Sequence, residues 1–351
     1  MYNKDLKTYI KRLAVLLLPM IIVGIIYVIN DPFKTIHHYE RYFDDNVPHV
    51  GLNMDYVSTE NFVHHNPTQR YNAFIFGNSR SQYWQTDYWK RYIGKDSRCY
   101  HYYGSGESLY SLEKNIRFIH DCGNSIDYAL LVLDIDLLSQ TKAKTGHLFI
   151  TPPRTVAYQN VIRFHATNFA AFLNPVFIYT YIDLLIYNTL KPYMLEKYMV
   201  EQPVVYHAVS NEIEDRMFDQ AIDDKTYYTT ERMLCFQGKQ YPDSISPQVL
   251  FSENIRMLTA IAKILSQHHT QYKIVISPLY NQIKLNSIDL QTLGDIFGHS
   301  SIYDFSGKSD ITSDYHNYYE ESHYRPVIAR RLMDSIYNDA FHHQPRSEKS
   351  K

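Results

Sequence analysis

Apolar and polar positions alternate along the chain in a pattern that is typical of α/β domains. Short, mainly apolar runs, bounded by glycine, proline or polar residues, predict buried strands of a parallel sheet. The predicted strands cover residues 72–76, 98–102, 128–133, 273–277 and 301–304. Apolar residues at helical spacing predict helices at 109–119, 252–265 and 326–336, the second with Ser252 as its N-cap. Strands that alternate with helices indicate a three-layer α/β fold, in which helices cover both faces of the sheet.

The alternation breaks between residues 139 and 250, a stretch rich in tyrosine, phenylalanine, isoleucine and leucine and interrupted by prolines. We expect a mostly helical insertion here that packs over one end of the sheet. Residues 31–70 show little periodicity and are interpreted as a stalk that leads into the domain. The α/β domain itself is expected to span residues 71–340, and the polar residues 341–351 to form a disordered tail.

The N-terminal region predicts a single transmembrane helix over residues 13–30. Residues 13–29 carry no charge, and the length of this run is at the short end of the range for a membrane span. The basic residues Lys4, Lys7, Lys11 and Arg12 precede it. The positive-inside bias places residues 1–12 in the cytoplasm and the main domain outside the inner or plasma membrane, in the periplasm or the extracellular space. A cleaved signal peptide is the alternative, but it would have a shorter apolar core and a small-residue cleavage site.

Composition excludes several classes of function. The net charge of −2 gives no basic face for nucleic acid. Three cysteines are too few and too scattered for a disulfide framework or a zinc site, and no cofactor or metal is expected. The 33 tyrosines would suit a sugar-binding surface, although a compositional habit of the source organism explains them as simply.

A candidate nucleophile, Ser79, directly follows the first predicted strand in the segment Gly77-Asn78-Ser79. The carboxyl ends of parallel strands are where α/β folds bind their ligands, and Gly77 permits a tight turn. The segment is not the nucleophile elbow of the α/β-hydrolases, because Ser81 stands where a second glycine belongs. Taken alone, the segment is more simply interpreted as an ordinary turn.

The candidate base is His323, near the other end of the chain. A serine hydroxyl becomes nucleophilic when an imidazole takes its proton, and the imidazole needs a carboxylate to hold its tautomer. Glu320 lies three residues before His323, close enough to reach the ring. The histidine doublets at 64–65, 268–269 and 342–343 are more simply interpreted as solvated surface. A third element, Gly106, follows the second predicted strand and offers a backbone amide to an oxyanion, or else belongs to a plain turn.

In this order the motifs resemble those of the SGNH (GDSL) serine hydrolases. Gly77-Asn78-Ser79 resembles the first block, residues 105–108 (Ser-Gly-Glu-Ser) resemble the second, and residues 320–323 resemble the final Asp-x-x-His. The resemblance covers about residues 72–138 and 273–336. It implies a flavodoxin-like fold, with Ser79 as nucleophile, His323 as base and Glu320 as its carboxylate. It also implies an oxyanion site built from the amides of Ser79 and Gly106.

Two departures from the family pattern bear on activity. Glu320 replaces the usual aspartate, which adds one methylene. The third block normally supplies an oxyanion asparagine, whereas here the strand end reads Leu-Asp-Ile-Asp-Leu, with Asp136 in its place. Loss of one oxyanion donor costs about a hundredfold or more in rate.

Further candidates for substrate contacts flank these motifs: Asn78, Arg80, Asp136 and Arg325. The two arginines would suit an anionic sugar or acyl group, although salt bridges to local acids are the simpler interpretation. A group of tyrosines could form a sugar-stacking wall or serve only in packing: Tyr102, Tyr103, Tyr318, Tyr319 and Tyr324.

With its predicted anchor, the chain further resembles membrane-attached SGNH proteins that act in O-acylation of bacterial surface polysaccharides, such as alginate acetylation and teichoic-acid D-alanylation proteins. The resemblance implies an esterase or O-acyltransferase whose partners are an acylated glycan or acyl donor and a multi-pass membrane acyltransferase. One alternative is an inactive glycan-binding or scaffold subunit. Another alternative is the binding of phosphate or phospholipid. It is suggested by Arg80, which lies beside a turn whose backbone amides could bind an anion.

Overall fold

The computed structural model describes residues 2–338, so the tail expected at 341–351 lies outside the described residues. The helices, in chain order, are α1 Tyr2–Asn30, α2 Met54–Gln69, α3 Thr86–Ile93, α4 Leu109–Asp121, α5 Ile135–Ser139, α6 Val161–Phe172, α7 Pro175–Tyr187, α8 Arg216–Asp223, α9 Thr230–Met233, α10 Ser252–Gln267, α11 Ser287–Phe297 and α12 Pro326–Tyr337. The strands are β1 His49–Val50, β2 Ala73–Asn78, β3 Cys99–Gly104, β4 Tyr128–Leu133, β5 Val200–Glu201, β6 Val205–His207, β7 Glu212–Glu214, β8 Gln271–Ile276, β9 Ile302–Asp304, β10 Tyr318–Glu320 and β11 His323–Tyr324.

The fold is α/β, built on a five-stranded parallel sheet with the strand order β3-β2-β4-β8-β9. Each predicted strand is present in this sheet. These strands could be predicted because a strand that is buried on both faces is a nearly unbroken apolar run in the sequence. The register pairs Asn78 with Gly104 and Gly77 with Val132. The ends of β2, β3 and β4 therefore lie at one level of the same sheet edge.

Alternate residues of the sheet point into two separate cores, which makes the domain three-layered. Phe74, Leu131 and Ile274 face a core shared with α4, α10 and α11. Ile75 and Val132 face a second core, which is closed by α12, by Trp89 in α3 and by Trp84 just before α3. One boundary differs from expectation, since the N-cap of α10 is Phe251 and Ser252 is its first helical residue.

Residues 31–70 do not form the stalk that the sequence suggested. Phe33 and Phe43 are buried in a third core, and α2 packs on β3. The buried face of α2 is mixed and shows no regular apolar period, because Asp55, Ser58 and Asn61 lie among its apolar residues. Hydrogen bonds replace apolar contact there; Ser58 Oγ donates to the carbonyl of Tyr103 at 2.7 Å, for example.

The segment 139–250 is a mixed insertion of helices, 3₁₀ turns and three short strands. The β6–β7 hairpin covers the free edge of β3, where the amide of His101 donates to the carbonyl of Ser210 at 3.0 Å and Asn211 Nδ2 donates to the carbonyl of His101 at 2.8 Å. β5 pairs with β1, so the insertion and residues 31–70 form one body over the carboxyl end of the sheet.

Among the described residues, no single helix has both the length and the continuous hydropathy of a membrane span. The pair α6 and α7, bent by 75° at the break between them, meets these criteria of length and composition when the two are taken together.

Candidate functional site

The turn after β2 presents Ser79 at the carboxyl edge of the sheet, where it is half-buried. Asn78 fixes this turn. Its side-chain oxygen accepts from the amide of Arg80 at 2.9 Å, and its amide nitrogen donates to Asp134 Oδ2 at 2.5 Å. Because Asn78 is 3% exposed and fully engaged in this way, it supports the turn rather than facing the cavity described below.

His323 and Glu320 face each other across the β10–β11 hairpin, with a two-residue turn between them. Buried tyrosines on either side hold the hairpin in place. Tyr318 donates to the carbonyl of Pro278 at 2.8 Å, and Tyr324 accepts from Trp84 Nε1 at 2.7 Å. The three-residue spacing therefore reflects a hairpin pairing, and the histidine is anchored next to the turn that carries Ser79.

The hydrogen bonds of His323 define its tautomer. Nδ1 is bonded to Glu320 Oε1, and the other carboxylate oxygen accepts from the amide of Ser322 at 2.9 Å. Burial raises the pKa of Glu320, but the hydrogen bond and charge of His323 outweigh burial and lower it below its usual value. An ionised Glu320 requires a proton on Nδ1, which leaves Nε2 as an acceptor in the neutral ring. Within residues 2–338, Nε2 is buried and has no hydrogen-bond partner.

Ser79, Gly106 and His323 line one cavity of about 680 Å³. The sequence motifs thus meet at one place, although they come from three separate parts of the chain. Much of the remaining wall is apolar and comes from residues 31–70 and from the insertion: Phe43, Leu52, Met54, Leu148, Phe149, Leu195, Val200, Val204, Ile213 and Phe218.

Lys144 lies beside Gly106, a contact that the sequence did not suggest. Gly106 has φ = +55°, a backbone conformation that favours glycine, and a Cβ there would lie 3.2 Å from Lys144 Nζ. Partial burial lowers the pKa of Lys144, while the charge of Glu107 opposes that shift. No ion pair to Lys144 forms within the described part of the chain, and its nearest aromatic contact is the ring of Phe149 at 5.7 Å.

Two carboxyl groups, Glu201 and Asp215, also line the cavity. The surrounding protein raises the pKa of Glu201 to about 7, even though water reaches its side chain inside the cavity. Burial likewise raises the pKa of Asp215, which accepts a hydrogen bond from Tyr83. Arg232 lines the same cavity, so its charged side chains are of both signs.

Arg80 and Asp136 belong to a neighbouring cavity of about 340 Å³, which Ser79 does not line. Arg80 forms ion pairs with Asp134 and Asp136, each at 2.7 Å. Asp134 also caps α5 by accepting from the amide of Leu137 at 3.0 Å. The aspartate that replaces the family's asparagine thus pairs with an arginine away from the Ser79 cavity, and Arg80 is already neutralised.

Arg325 lines neither cavity. It precedes α12, donates to the carbonyl of His316 at 3.3 Å and lies 3.6 Å from Asp219. The sequence suggested five tyrosines as a sugar-stacking wall: Tyr102, Tyr103, Tyr318, Tyr319 and Tyr324. All five are at most 2% exposed, so they pack in the protein interior. Of the five, only Tyr103 reaches the wall of the Ser79 cavity.

A second serine–histidine pair lies two residues from Ser79. Ser81 Oγ donates to the carbonyl of Asn78 at 2.8 Å and lies 3.0 Å from His101 Nε2. Because the serine proton is already committed, Nε2 of His101 must donate. Both residues are fully buried, and burial lowers the pKa of His101 to about 3.

A buried carboxyl pair lies behind the turn that carries Gly106. Asn115 Nδ2 donates to Asp55 at 2.8 Å and to Glu107 at 3.0 Å, and Glu107 also accepts from the amide of Ser108. Burial raises the pKa of Asp55 to about 7; burial and the charge of Asp55 raise that of Glu107 further above its usual value. The pair therefore fixes the turn in a largely uncharged form.

No protein-family model matches the chain, and no curated protein matches its sequence.

Proposed function

We propose that this protein is a membrane-anchored SGNH-type serine esterase or O-acyltransferase, acting on acyl groups of a cell-surface polysaccharide. The observation that carries the proposal is the state of His323. Its Nδ1 is bonded to a carboxylate, while its Nε2 is a free acceptor in the wall of the cavity that Ser79 and Gly106 share. The strand order, 2-1-3-4-5 counted along the sheet, supports the flavodoxin-like arrangement of this superfamily.

In the proposed reaction, Ser79 Oγ forms a bond to the acyl carbon while its proton moves to His323 Nε2. Glu320 stabilises the imidazolium and keeps the ring in place. The bond to the leaving alcohol then breaks, and that alcohol takes the proton from Nε2, which leaves an acyl-serine. Water or a sugar hydroxyl attacks this ester with the same histidine as base, and Ser79 is regenerated.

The oxyanion is proposed to bind the amides of Ser79 and Gly106 and to be stabilised by Lys144. A cation beside Gly106 would supply positive charge where the family's third block supplies an asparagine amide. Asp136 does not oppose this, because its carboxylate pairs with Arg80 in the neighbouring cavity.

The substrate class follows from the walls of the Ser79 cavity. Apolar side chains form much of the surface, and the two carboxyl groups present have raised pKa values. The apolar wall therefore fits the hydrocarbon part of an acyl group, and Arg80 and Arg325, which suggested an anionic group, lie outside this cavity. The acyl donor is proposed to be supplied by a multi-pass membrane acyltransferase.

Membrane attachment through residues 13–30 is part of the proposal, with residues 1–12 cytoplasmic and the α/β domain periplasmic or extracellular. It is supported by the apolar side chains that α1 leaves exposed: Val15, Leu17, Leu18, Met20, Ile21, Ile22, Ile25, Ile26, Val28 and Ile29. A helix that is apolar on every side needs an apolar surrounding.

The test is covalent labelling of the purified full chain by a fluorescent fluorophosphonate, with peptide mapping of the adduct. We expect the label on Ser79, complete loss of labelling in Ser79→Ala, and unchanged labelling in Ser287→Ala, which removes an exposed serine at the start of α11. Parallel hydrolysis of p-nitrophenyl acetate follows turnover. Wild-type protein that stays unlabelled would contradict the proposal.

The second candidate function is an inactive glycan-binding or scaffold subunit. The observation that favours it is the absence of an asparagine from the strand end at residues 133–137. Surface acylation in cells separates the two candidates. It is lost with Ser79→Ala if the protein is an enzyme, and it is unchanged if the protein is a scaffold.

A further inference from the structure

The exposed surface of α7 is apolar throughout. Its exposed side chains, between 48% and 67% accessible apart from the proline at its start, are Pro175, Val176, Tyr179, Ile182, Leu185, Ile186 and Tyr187. The opposite face is buried and also mostly apolar. The one charged residue of the helix, Asp183, is 9% exposed and is paired with Lys191 at 2.7 Å.

The helix pair α6–α7 packs against the C-terminal end of α1. Tyr27 contacts the rings of Phe169 and Phe172 on α6 at 5.2 and 5.1 Å, and Phe33, just after α1, contacts the ring of Phe177 on the inner face of α7 at 4.9 Å. The end of the proposed anchor is therefore in direct contact with the helix pair whose outer face is apolar.

Exposed aliphatic residues elsewhere behave differently. Ile288 on α11 and Val327 on α12 are single residues among polar neighbours, which is ordinary for a protein surface. A helix whose whole outer face is apolar marks an interaction surface. The packing of α6 and α7 against the end of the proposed anchor indicates what covers this face, because an anchor in the bilayer would hold α7 close to the lipid.

We infer that α7 lies in the outer interface of the lipid bilayer, with Tyr179, Ile182, Leu185, Ile186 and Tyr187 immersed at the boundary of headgroups and acyl chains. This inference rests on the proposed membrane anchor. Tyrosine side chains suit that depth, since one end is apolar and the other is wetted. The single-pass anchor thus becomes a two-point attachment that fixes the orientation of the domain on the membrane.

The attachment bears on the Ser79 cavity, because the two share a core. Leu52, Val200 and Val204 line the cavity, and the same cluster contains Phe177 and Tyr181 from the inner face of α7. A bilayer that holds α7 therefore also holds the wall of the cavity, and it sets a fixed height of the cavity above the lipid.

The test measures the depth of a probe on the full chain in vesicles of phosphatidylcholine with a minor fraction of phosphatidylglycerol. Cys122 and Cys235 are changed to serine, the buried Cys99 stays, and a nitrobenzoxadiazole probe is attached at Ile186→Cys. Ile288→Cys is the matched control, an aliphatic residue of similar exposure on α11 (55% against 67%). Doxyl-labelled lipids act as quenchers.

We expect blue-shifted emission at position 186 and strong quenching by lipids with the doxyl group near the headgroup, with neither effect at position 288. Equal emission and no quenching at both positions overturns the inference. A blue shift without lipid quenching overturns it too, because it means that a partner protein or a second copy covers the face. Failure of the chain to float with vesicles refutes the anchor and the inference together. Fluorophosphonate labelling of the same samples reports Ser79 independently of either.

Discussion

Ser79 and Ser81 are two residues apart, and each is associated with a histidine in a different environment: Ser81 lies 3.0 Å from His101 Nε2, and Ser79 shares a cavity with His323. Ser81 and His101 are sealed in the interior, and no carboxylate bonds to the ring of His101 within the described residues. Ser79 and His323 line an open cavity, and His323 is bonded to Glu320.

The difference lies in which ring nitrogen carries the proton. In His101 the proton is on Nε2 and is donated to a serine, so the ring cannot accept from that serine. In His323 the carboxylate holds the proton on Nδ1 and leaves Nε2 as an acceptor without a partner among the described residues, the state that a general base requires. The comparison teaches that a carboxylate partner and a place in a cavity wall separate a candidate base from a histidine that only completes a buried network.

The most direct way to break the comparison is to remove each imidazole. His323→Ala is expected to lower the rate of fluorophosphonate labelling by about 10³-fold or more, because the serine loses its base. His101→Ala is expected to lower the melting temperature while labelling of the folded fraction continues. Labelling rates on protein that passes a thermal-melt check give the answer. Loss of labelling in His101→Ala alone would reverse the assignment of the two pairs.

The turn that aims Ser79 outward and Ser81 inward depends on Asp134, which binds both Asn78 and Arg80. Asp134→Ala leaves Arg80 mostly buried with one exposed partner, and we expect a loss of about 3 kcal/mol in the free energy of unfolding. Asp136→Ala, whose side chain is 65% exposed, is the control and should cost less than about 1 kcal/mol. Denaturant unfolding in detergent measures both. Equal losses would mean that burial of the pair has no role in holding the turn.

The proposed role of Lys144 sharpens the comparison, because Lys144 would place a positive charge near Ser79 and not near Ser81. Lys144→Met should lower kcat for p-nitrophenyl acetate by roughly 10- to 100-fold with little change in KM, since oxyanion charge is stabilised only in the transition state. Lys142→Met, an exposed lysine two residues away, is the matched control and should leave kcat unchanged. A change confined to KM would instead make Lys144 a substrate-binding residue.

The smallest expected effect concerns the carboxyl pair behind Gly106, where burial favours the neutral form as it does in His101. A carboxyl group with a raised folded-state pKa stabilises the fold at low pH, and that stability is lost as pH rises through the raised value. With the pKa of Asp55 at about 7, the wild type should lose about 1 kcal/mol between pH 6 and pH 8. Asp55→Asn should flatten this slope in pH-dependent denaturant unfolding, and identical slopes would contradict it.

The parts of the fold that follow from sequence are those with unbroken apolar runs. Strands such as β4 and β8 were located within a few residues, because both of their faces are buried. Helix α2 was missed because polar residues interrupt the apolar residues of its buried face, and these polar residues form hydrogen bonds to β3, which is distant in sequence.

The candidate site divides in the same way. Ser79, Gly106, Glu320 and His323 belong to local motifs, and motif order was enough to group them. Lys144 and His101 stand in no local pattern, and their roles arise from tertiary contacts alone. Arg80 was ambiguous in sequence because its acids, Asp134 and Asp136, become neighbours only when β2 and β4 pair.

The hydrogen bond between Trp84 and Tyr324 joins residues 240 positions apart, and it connects the histidine hairpin to the segment between Ser79 and α3. During synthesis from the N-terminus, Ser79 emerges long before His323 exists. If the proposed chemistry holds, Ser79 stays unreactive until the last hairpin docks, and the nascent chain carries no active serine while it is being made.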